Sequence, residues 1–240
     1  MTGKVIEINR LVDQIYDMRV AVDLREPAPG RFVHISAPGV FLRRPISLCG
    51  YENGEARLVF AVKGQGTKTL ANLKKDDEID ILGALGNGFP QLSTVNSQPS
   101  TVLVGGGVGI PPLLYYAKTY ENTHTLAGFR SKEQVMLADE FPSIDLCPGD
   151  DYPHLRLEKL LESGKPIGQV LACGPHPLLK AVSDICARYN TLCYVSMEER
   201  MACGVGACLV CACAVGGHYQ RCCKDGPVFE ATKVNWEGTL

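Results

Sequence analysis

Neither sign of charge dominates this 240-residue chain: 24 Lys and Arg face 26 Asp and Glu, for a net charge of -2. Without a basic excess there is no field for non-specific nucleic-acid binding. An uninterrupted apolar leader is also missing, because Lys4, Glu7 and Arg10 break up the N-terminus, so no secretory signal core is expected. No stretch reads as a membrane span. The longest charge-free run, residues 81–117, is interrupted by Asn87, Pro90, Asn96, Gln98, Pro99, Pro111 and Pro112. Internal repeats and low-complexity tracts are absent. With 45% hydrophobic and 21% charged residues, the composition excludes disordered, collagenous and coiled-coil classes. The five histidines (His34, His124, His154, His176, His218) are scattered, and none stands with a Ser or Cys in the pattern of a nucleophilic triad.

What the chain has in quantity is cysteine. Of eleven, six (Cys203, Cys208, Cys211, Cys213, Cys222, Cys223) fall within 21 residues near the C-terminus. With no leader, the expected compartment is the cytoplasm, where clustered thiols more often bind metal than form bridges. Cys203-x4-Cys208-x2-Cys211, with further cysteines about eleven residues on, has the spacing of a plant-type [2Fe–2S] site. Two irons need four thiolates converging on a compact centre. Gly204, Gly206 and Ala207 let the loop wrap tightly, with amide N–H groups approaching the sulfurs. A zinc site would usually present two C-x2-4-C knuckles, whereas here the first gap is a Gly-rich four. The spacing leaves three candidates for the fourth ligand: Cys213, Cys222 and Cys223.

The rest of the chain divides by rhythm. Short β-prone runs separated by turn clusters (27–30, 38–39, 52–54) fill the first ninety-odd residues and predict a small antiparallel barrel, with one short helix at 68–73. A polar, Pro-containing linker is expected at 96–100. Beyond it strands (101–104, 123–128, 169–172, 192–195) alternate with helical runs (111–120, 155–163, 177–189), which predicts a parallel sheet with covered faces. From Met197 the tail forms a third unit, too small to carry a core unaided. The expected domains are therefore 1–97, 98–196 and 197–240.

Three elements address phosphate. Arg44 is expected to pair with a pyrophosphate and Ser47 to hydrogen-bond a flavin, with Pro45 stiffening the turn at the end of an early strand. Lys63-Gly-Gln-Gly-Thr67 offers glycine amides and a hydroxyl ahead of the short helix. Gly105, Gly106, Gly107 and Gly109 follow a buried strand and open a helix, the context of a dinucleotide site, although the strict G-x-G-x-x-G spacing is not met. Cys173, Gly174 and Pro175 close a later strand at the carboxyl edge, where open sheets bind ligands.

R-R-P-I-S at 43–47, K-G-Q-G-T at 63–67, L-G-N-G-F at 85–89, G-G-G-V-G-I-P-P-L at 105–113 and C-G-P-H-P-L at 173–178 resemble the ferredoxin–NADP reductase superfamily. M-A-C-G-V-G-A-C-L-V-C at 201–211 and C-K-D-G-P-V-F at 223–229 narrow the resemblance to the electron-transfer subunits of NAD-dependent (type B) dihydroorotate dehydrogenase. That resemblance implies an FAD-binding barrel, an NAD-binding α/β domain and a C-terminal [2Fe–2S] domain. It implies that Arg44, Pro45, Ile46 and Ser47 contact FAD, with Val59, Phe60 and Ala61 against the flavin and Gly66 and Thr67 on its phosphates. It also implies that Cys203, Cys208, Cys211 and Cys223 hold the cluster, Cys223 being the cysteine of the C-K-D-G-P segment. The implied partner is an FMN-containing catalytic subunit in a 2+2 heterotetramer, which oxidises dihydroorotate in pyrimidine biosynthesis. Electrons then pass through [2Fe–2S] and FAD to NAD+. No residue here is expected to act as the general base for dihydroorotate. Arg130 and Lys132, after the second strand of the nucleotide domain, lie where a 2′-phosphate would sit and open an NADP alternative. Two rival expectations are a reductase subunit of a ferredoxin or sulfide:NADP complex, and a zinc-stabilised nucleotide-binding regulator.

Overall fold

The computed structural model describes residues 1–91 and 100–237. The linker expected at 96–100 lies, apart from Ser100, outside the described residues, as does the boundary expected between 97 and 98. Strands β1 (Thr2–Val12), β2 (Ile15–Ala21), β3 (Phe32–Ile35), β4 (Arg44–Glu52), β5 (Glu55–Ala61) and β6 (Glu78–Leu85) close into a barrel in the order β1-β2-β5-β4-β3-β6. Every pairing is antiparallel. Alternation builds its core: Met18, Val20, Val33, Ile35, Ile46, Leu48, Leu58 and Phe60 point inward. The β4–β5 hairpin turns on Asn53 and Gly54, both at positive φ, as a two-residue turn between twisted strands requires. Helix α1 (Gln65–Ala71) follows β5 and starts three residues before the run expected from sequence.

The second unit contains β7 (Ser100–Gly106), α2 (Ile110–Thr119), β8 (Thr123–Phe129), β9 (Ile144–Pro148), α3 (Pro153–Glu162), β10 (Ile167–Cys173), α4 (His176–Arg188) and β11 (Cys193–Ser196). The tail adds a hairpin, β12 (Ala212–Val215) and β13 (His218–Arg221), then β14 (Val228–Glu230). The sheet order is β14-β11-β10-β7-β8-β9. All its pairings are parallel except β11–β14. Helix α2 is buried nearly all round, as expected of a helix held between two layers, here the sheet and the barrel. On the opposite face Leu157 of α3 and Leu179, Val182 and Ile185 of α4 pack with Val102, Val104, Val170 and Ala172. The tail has no separate core. Cys211, Cys213, Val215, Cys222 and Cys223 join this same cluster.

One element differs from its sequence expectation in a way that matters for the site. Residues 44–47 open β4 rather than end a strand. The turn near Pro38 and Gly39 comes first, and pairing with β3 begins only at Ile35 opposite Arg44.

An ionic clamp joins barrel to sheet. Arg57 on β5 donates from Nε and Nη2 to Asp17 at 2.9 and 2.7 Å, and from Nη1 and Nη2 to Glu140 at 2.7 Å each. Lys118 of α2 also reaches Glu140, at 2.5 Å. The Arg57 hydrogen bonds, followed by that from Lys118, hold the Glu140 carboxyl down to about 2 against its desolvation. With the folded value below the ordinary 4.5, the stabilisation is complete above about pH 4.5 and fades as pH falls towards 2. Arg57→Ala takes the guanidinium from Asp17 and leaves Glu140 with Lys118 alone in a half-buried site, at an expected cost of about 2–3 kcal/mol. For a chain of this size that lowers Tm by roughly 4–12 °C. Calorimetry at pH 7 checks the figure, and an unchanged Tm would sink it.

Candidate functional site

The tail loop gathers the sulfurs of Cys203, Cys211 and Cys223 through its backbone amides, with Cys208 exposed in the same loop. Backbone amides surround them: Val205 and Ala207 donate to Cys203 Sγ at 3.5 and 3.3 Å, Gly206 to Cys223 Sγ at 3.2 Å, and Cys223 to Cys211 Sγ at 3.4 Å. Gly204 and Gly206 have φ of +72° and +80°, the left-handed conformation that lets the chain wrap. The Val205 amide, then that of Cys208, brings the Cys203 thiol down to about 6, while burial pushes Cys223 up to about 12. Among the described residues no three Cys, His, Asp or Glu side chains are placed to hold a single ion. A two-iron group asks for four thiolates shared between two irons instead, and a tail whose amides already face the sulfurs of Cys203, Cys211 and Cys223 fits that demand.

The other tail cysteines turn away. Cys222 Sγ donates to the Met197 carbonyl at 3.2 Å and Cys213 Sγ to that of Gln220 at 3.6 Å. Both are buried, and burial raises both thiols, Cys213 to about 11.

The sulfur loop rests on the barrel. Phe32 and His34 point outward from β3, between the inward Val33 and Ile35, and Gly204 packs on the His34 ring. A Cβ at 204 would come within 2.5 Å of His34 Nδ1. Asn87, inside the L-G-N-G-F segment, clasps the tail from below. Its N–H donates to the Gly226 carbonyl at 2.7 Å, its side-chain amide to the Val228 carbonyl at 2.9 Å, and its Oδ1 accepts from the Val228 N–H at 2.9 Å. Lys63 forms an ion pair with Glu198 at 3.8 Å across the same junction. Sequence reasoning assigned no role to His34 or Asn87; the segment containing Asn87 was visible only as a motif.

On the barrel, Arg44 and Gly66 meet: a Cβ at 66 would overlap the Arg44 guanidinium, so the glycine is what lets Arg44 lie over the loop. Thr67 Oγ1 accepts from the Lys63 and Gly64 amides at 2.9 and 3.2 Å and so braces this loop. Ser47 is half-buried and Pro45 exposed. Val59 packs towards the sheet unit and Ala61 is half-buried, while Ile46 and Phe60 face the barrel interior.

The glycine loop and the Cys-Gly-Pro turn come together at the carboxyl ends of β7 and β10. The chain runs from β7 out to β8 and β9, then returns to β10 and β11 on the other side, so these two strands flank the switch point of the sheet. Gly105 lies in register with Cys173. Gly106 packs on Pro175 and Leu178, and Gly109 lies so close to the backbone of Cys173 and Gly174 that a Cβ there would overlap the Cys173 carbonyl. Gly107, at φ +54°, faces open space. Burial pushes the Cys173 thiol up to about 12, so it is protonated and unreactive at neutral pH. Arg130 and Lys132 are exposed just past β8, the next strand along the same edge.

Comparison with known proteins places this geometry. Residues 198–235 match the model for the iron–sulfur cluster binding domain of dihydroorotate dehydrogenase B. The dihydroorotate dehydrogenase B (NAD(+)) electron transfer subunit of Caldanaerobacter subterraneus subsp. tengcongensis is 37% identical over 98% of each chain. That of Geobacillus kaustophilus is 38% identical over 90% of this chain and 89% of its own. A solved NADH-dependent reduced ferredoxin-NADP oxidoreductase aligns with 98% of this chain and 90% of its own, at a TM-score of 0.86 and 26% identity. Phthalate dioxygenase reductase shares the fold, at a TM-score of 0.62 and 18% identity over 90% of this chain and 86% of its own. By identity across nearly its whole length, the chain belongs to the electron transfer subunits of NAD(+)-dependent dihydroorotate dehydrogenase B.

Proposed function

We propose that this chain holds FAD on the barrel, a [2Fe–2S] cluster in the tail and NAD at the switch point, and carries electrons from an FMN-containing catalytic subunit to NAD+. The observation that carries the reading is the set of Cys203, Cys208, Cys211 and Cys223, three of whose sulfurs accept backbone N–H groups of the tail, which packs through Gly204 on the barrel strand paired with the one that bears Arg44. These four cysteines would hold the irons, with the amides of residues 205–207 directed at their sulfurs. Arg44, braced over Gly66, would pair with the FAD pyrophosphate, while Pro45, Ser47, Val59 and Ala61 would line the flavin. Ile46 and Phe60 would support that wall from the barrel interior. Gly105, Gly106, Gly107 and Gly109, with Cys173, Gly174 and Pro175, would form the nicotinamide dinucleotide crevice. Bound FAD would supply the exchange between one-electron and two-electron chemistry, leaving position and electrostatics to the protein.

Exposed Val205, Leu209 and Val210 border the exposed Cys208. This apolar rim beside the cluster supports docking of the catalytic subunit there, in a 2+2 heterotetramer. None of the eleven cysteines is in a disulfide, which supports a reducing, cytoplasmic setting; no helix among the described residues is long and apolar enough to cross a membrane.

The test is anaerobic reconstitution of the full chain with FAD, iron and sulfide. Overlapping flavin and iron–sulfur absorption is expected, with flavin bleaching on NADH and no turnover of dihydroorotate until the catalytic subunit is added. A colourless protein that takes up zinc instead would overturn the reading. NADH is expected to reduce the flavin at least about tenfold faster than NADPH, equivalent to about 1.4 kcal/mol of discrimination. A preference for NADPH would assign Arg130 and Lys132 to a 2′-phosphate.

A further inference from the structure

His34 is fully buried, and neither of its ring nitrogens has a hydrogen-bond partner. Buried polar atoms in folded proteins are nearly always satisfied, so two orphaned nitrogens on one ring call for an explanation. The ring occupies a definite place. It projects from the outer face of β3, whose neighbour β4 begins at Arg44, and the cluster loop covers it through Gly204, next to Cys203. Gly204 is doubly constrained to be glycine, by its φ of +72° and by the ring against which it lies. In either protonation state the imidazole ring carries at least one N–H to donate.

Resting on the iron–sulfur reading above, we propose that His34 is a positioning residue for the cluster, donating an N–H hydrogen bond to the sulfur shell held by the Cys203 loop. Donors to cluster sulfurs favour the more negative, reduced state and so raise the reduction potential. The amides of residues 205–207 already serve the sulfurs from the loop itself. His34 is the one such donor that the barrel contributes among the residues named here, and it links cluster chemistry to the strand pair bearing the flavin-side residues.

Two variants of the reconstituted full chain separate a hydrogen bond from mere packing. His34→Phe fills the space without a donor and is expected to lower the cluster potential and change the EPR signal of the reduced cluster, at unchanged FAD content. His34→Gln keeps an N–H and is expected to restore most of the wild-type potential. An unchanged potential in His34→Phe, or an equal shift in both variants, would overturn the proposal. Should the variants fail to load cluster, reduced wild-type protein carrying isotope-labelled histidine provides the deciding measurement. Pulsed EPR is expected to detect a weak histidine-nitrogen coupling, and its absence overturns the hydrogen bond. A wild-type protein that binds no [2Fe–2S] cluster at all would instead defeat the broader functional reading.

Discussion

Cys223→Ser is expected to strip the reconstituted protein of its iron–sulfur absorption and of the reduced-cluster EPR signal, while the neighbouring Cys222→Ser keeps both. The two residues are adjacent, equally buried and chemically identical, so only the direction of each sulfur separates them. Cys223 Sγ accepts the Gly206 amide at 3.2 Å and its own N–H donates to Cys211 Sγ at 3.4 Å, a setting that favours a thiolate at that position once metal neutralises it. Cys222 Sγ points the other way, donating to the Met197 carbonyl at 3.2 Å inside the apolar cluster shared with α4. A serine at 223 is a harder and far less acidic ligand than a thiolate, and cluster retention is expected to fall by at least about 10–100-fold, the scale already seen when outer partners of metal ligands are removed. A serine at 222 can still donate to the Met197 carbonyl and is expected to cost only about 1–2 kcal/mol of stability through the polar group it buries. Iron and sulfide analysis beside the EPR signal decides the matter. A Cys223→Ser protein with a full complement of cluster, or a Cys222→Ser protein with none, would reverse the assignment.

Spacing alone left Cys213, Cys222 and Cys223 as candidates, and the reason is physical. A sequence gives the order of the thiols, but the turn at residues 222–225, pinned by Arg221 and Asp225, decides which sulfur faces the loop. The larger architecture was more legible, because it is written in runs and turns: short β-prone runs between turn clusters for the barrel, apolar runs for β7 and β10, and helical-length runs for α2 and α4. The strands that these runs did not reveal are short or polar. β13 reads His-Tyr-Gln-Arg, and β14 has three residues that make a strand only because the open edge of β11 accepts them. His34 and Asn87 were hidden for a related reason. Each acts between segments far apart in sequence, and neither belongs to a local pattern that names a partner. The glycines of residues 105–109 were read as a nucleotide loop, yet the close contacts of Gly106 and Gly109 emerged only from the neighbouring turn at residues 173–175.

Gly109→Ala is expected to abolish most NADH-driven flavin reduction while leaving FAD and cluster in place. Gly109 has an ordinary φ of -81°, so an alanine there suffers no backbone strain of its own. The obstacle is space. The added methyl would overlap the carbonyl of Cys173 and crowd the Gly174 nitrogen, and these are backbone atoms at the end of β10 that cannot rotate aside. The β7–α2 loop must then move away from the Cys-Gly-Pro turn, which opens the switch-point crevice. A displacement near 1 Å at a reacting site costs about 100-fold in rate. Gly107→Ala provides the contrast, since position 107 has open space around it but a φ of +54°. Alanine in that left-handed conformation costs about 1–2 kcal/mol, with no collision to transmit. Stopped-flow measurement of flavin bleaching by NADH is therefore expected to place Gly109→Ala about 100-fold below wild type and Gly107→Ala within about tenfold of it. A wild-type rate for Gly109→Ala would show that hydride transfer to NAD+ does not depend on the close approach of these two loops.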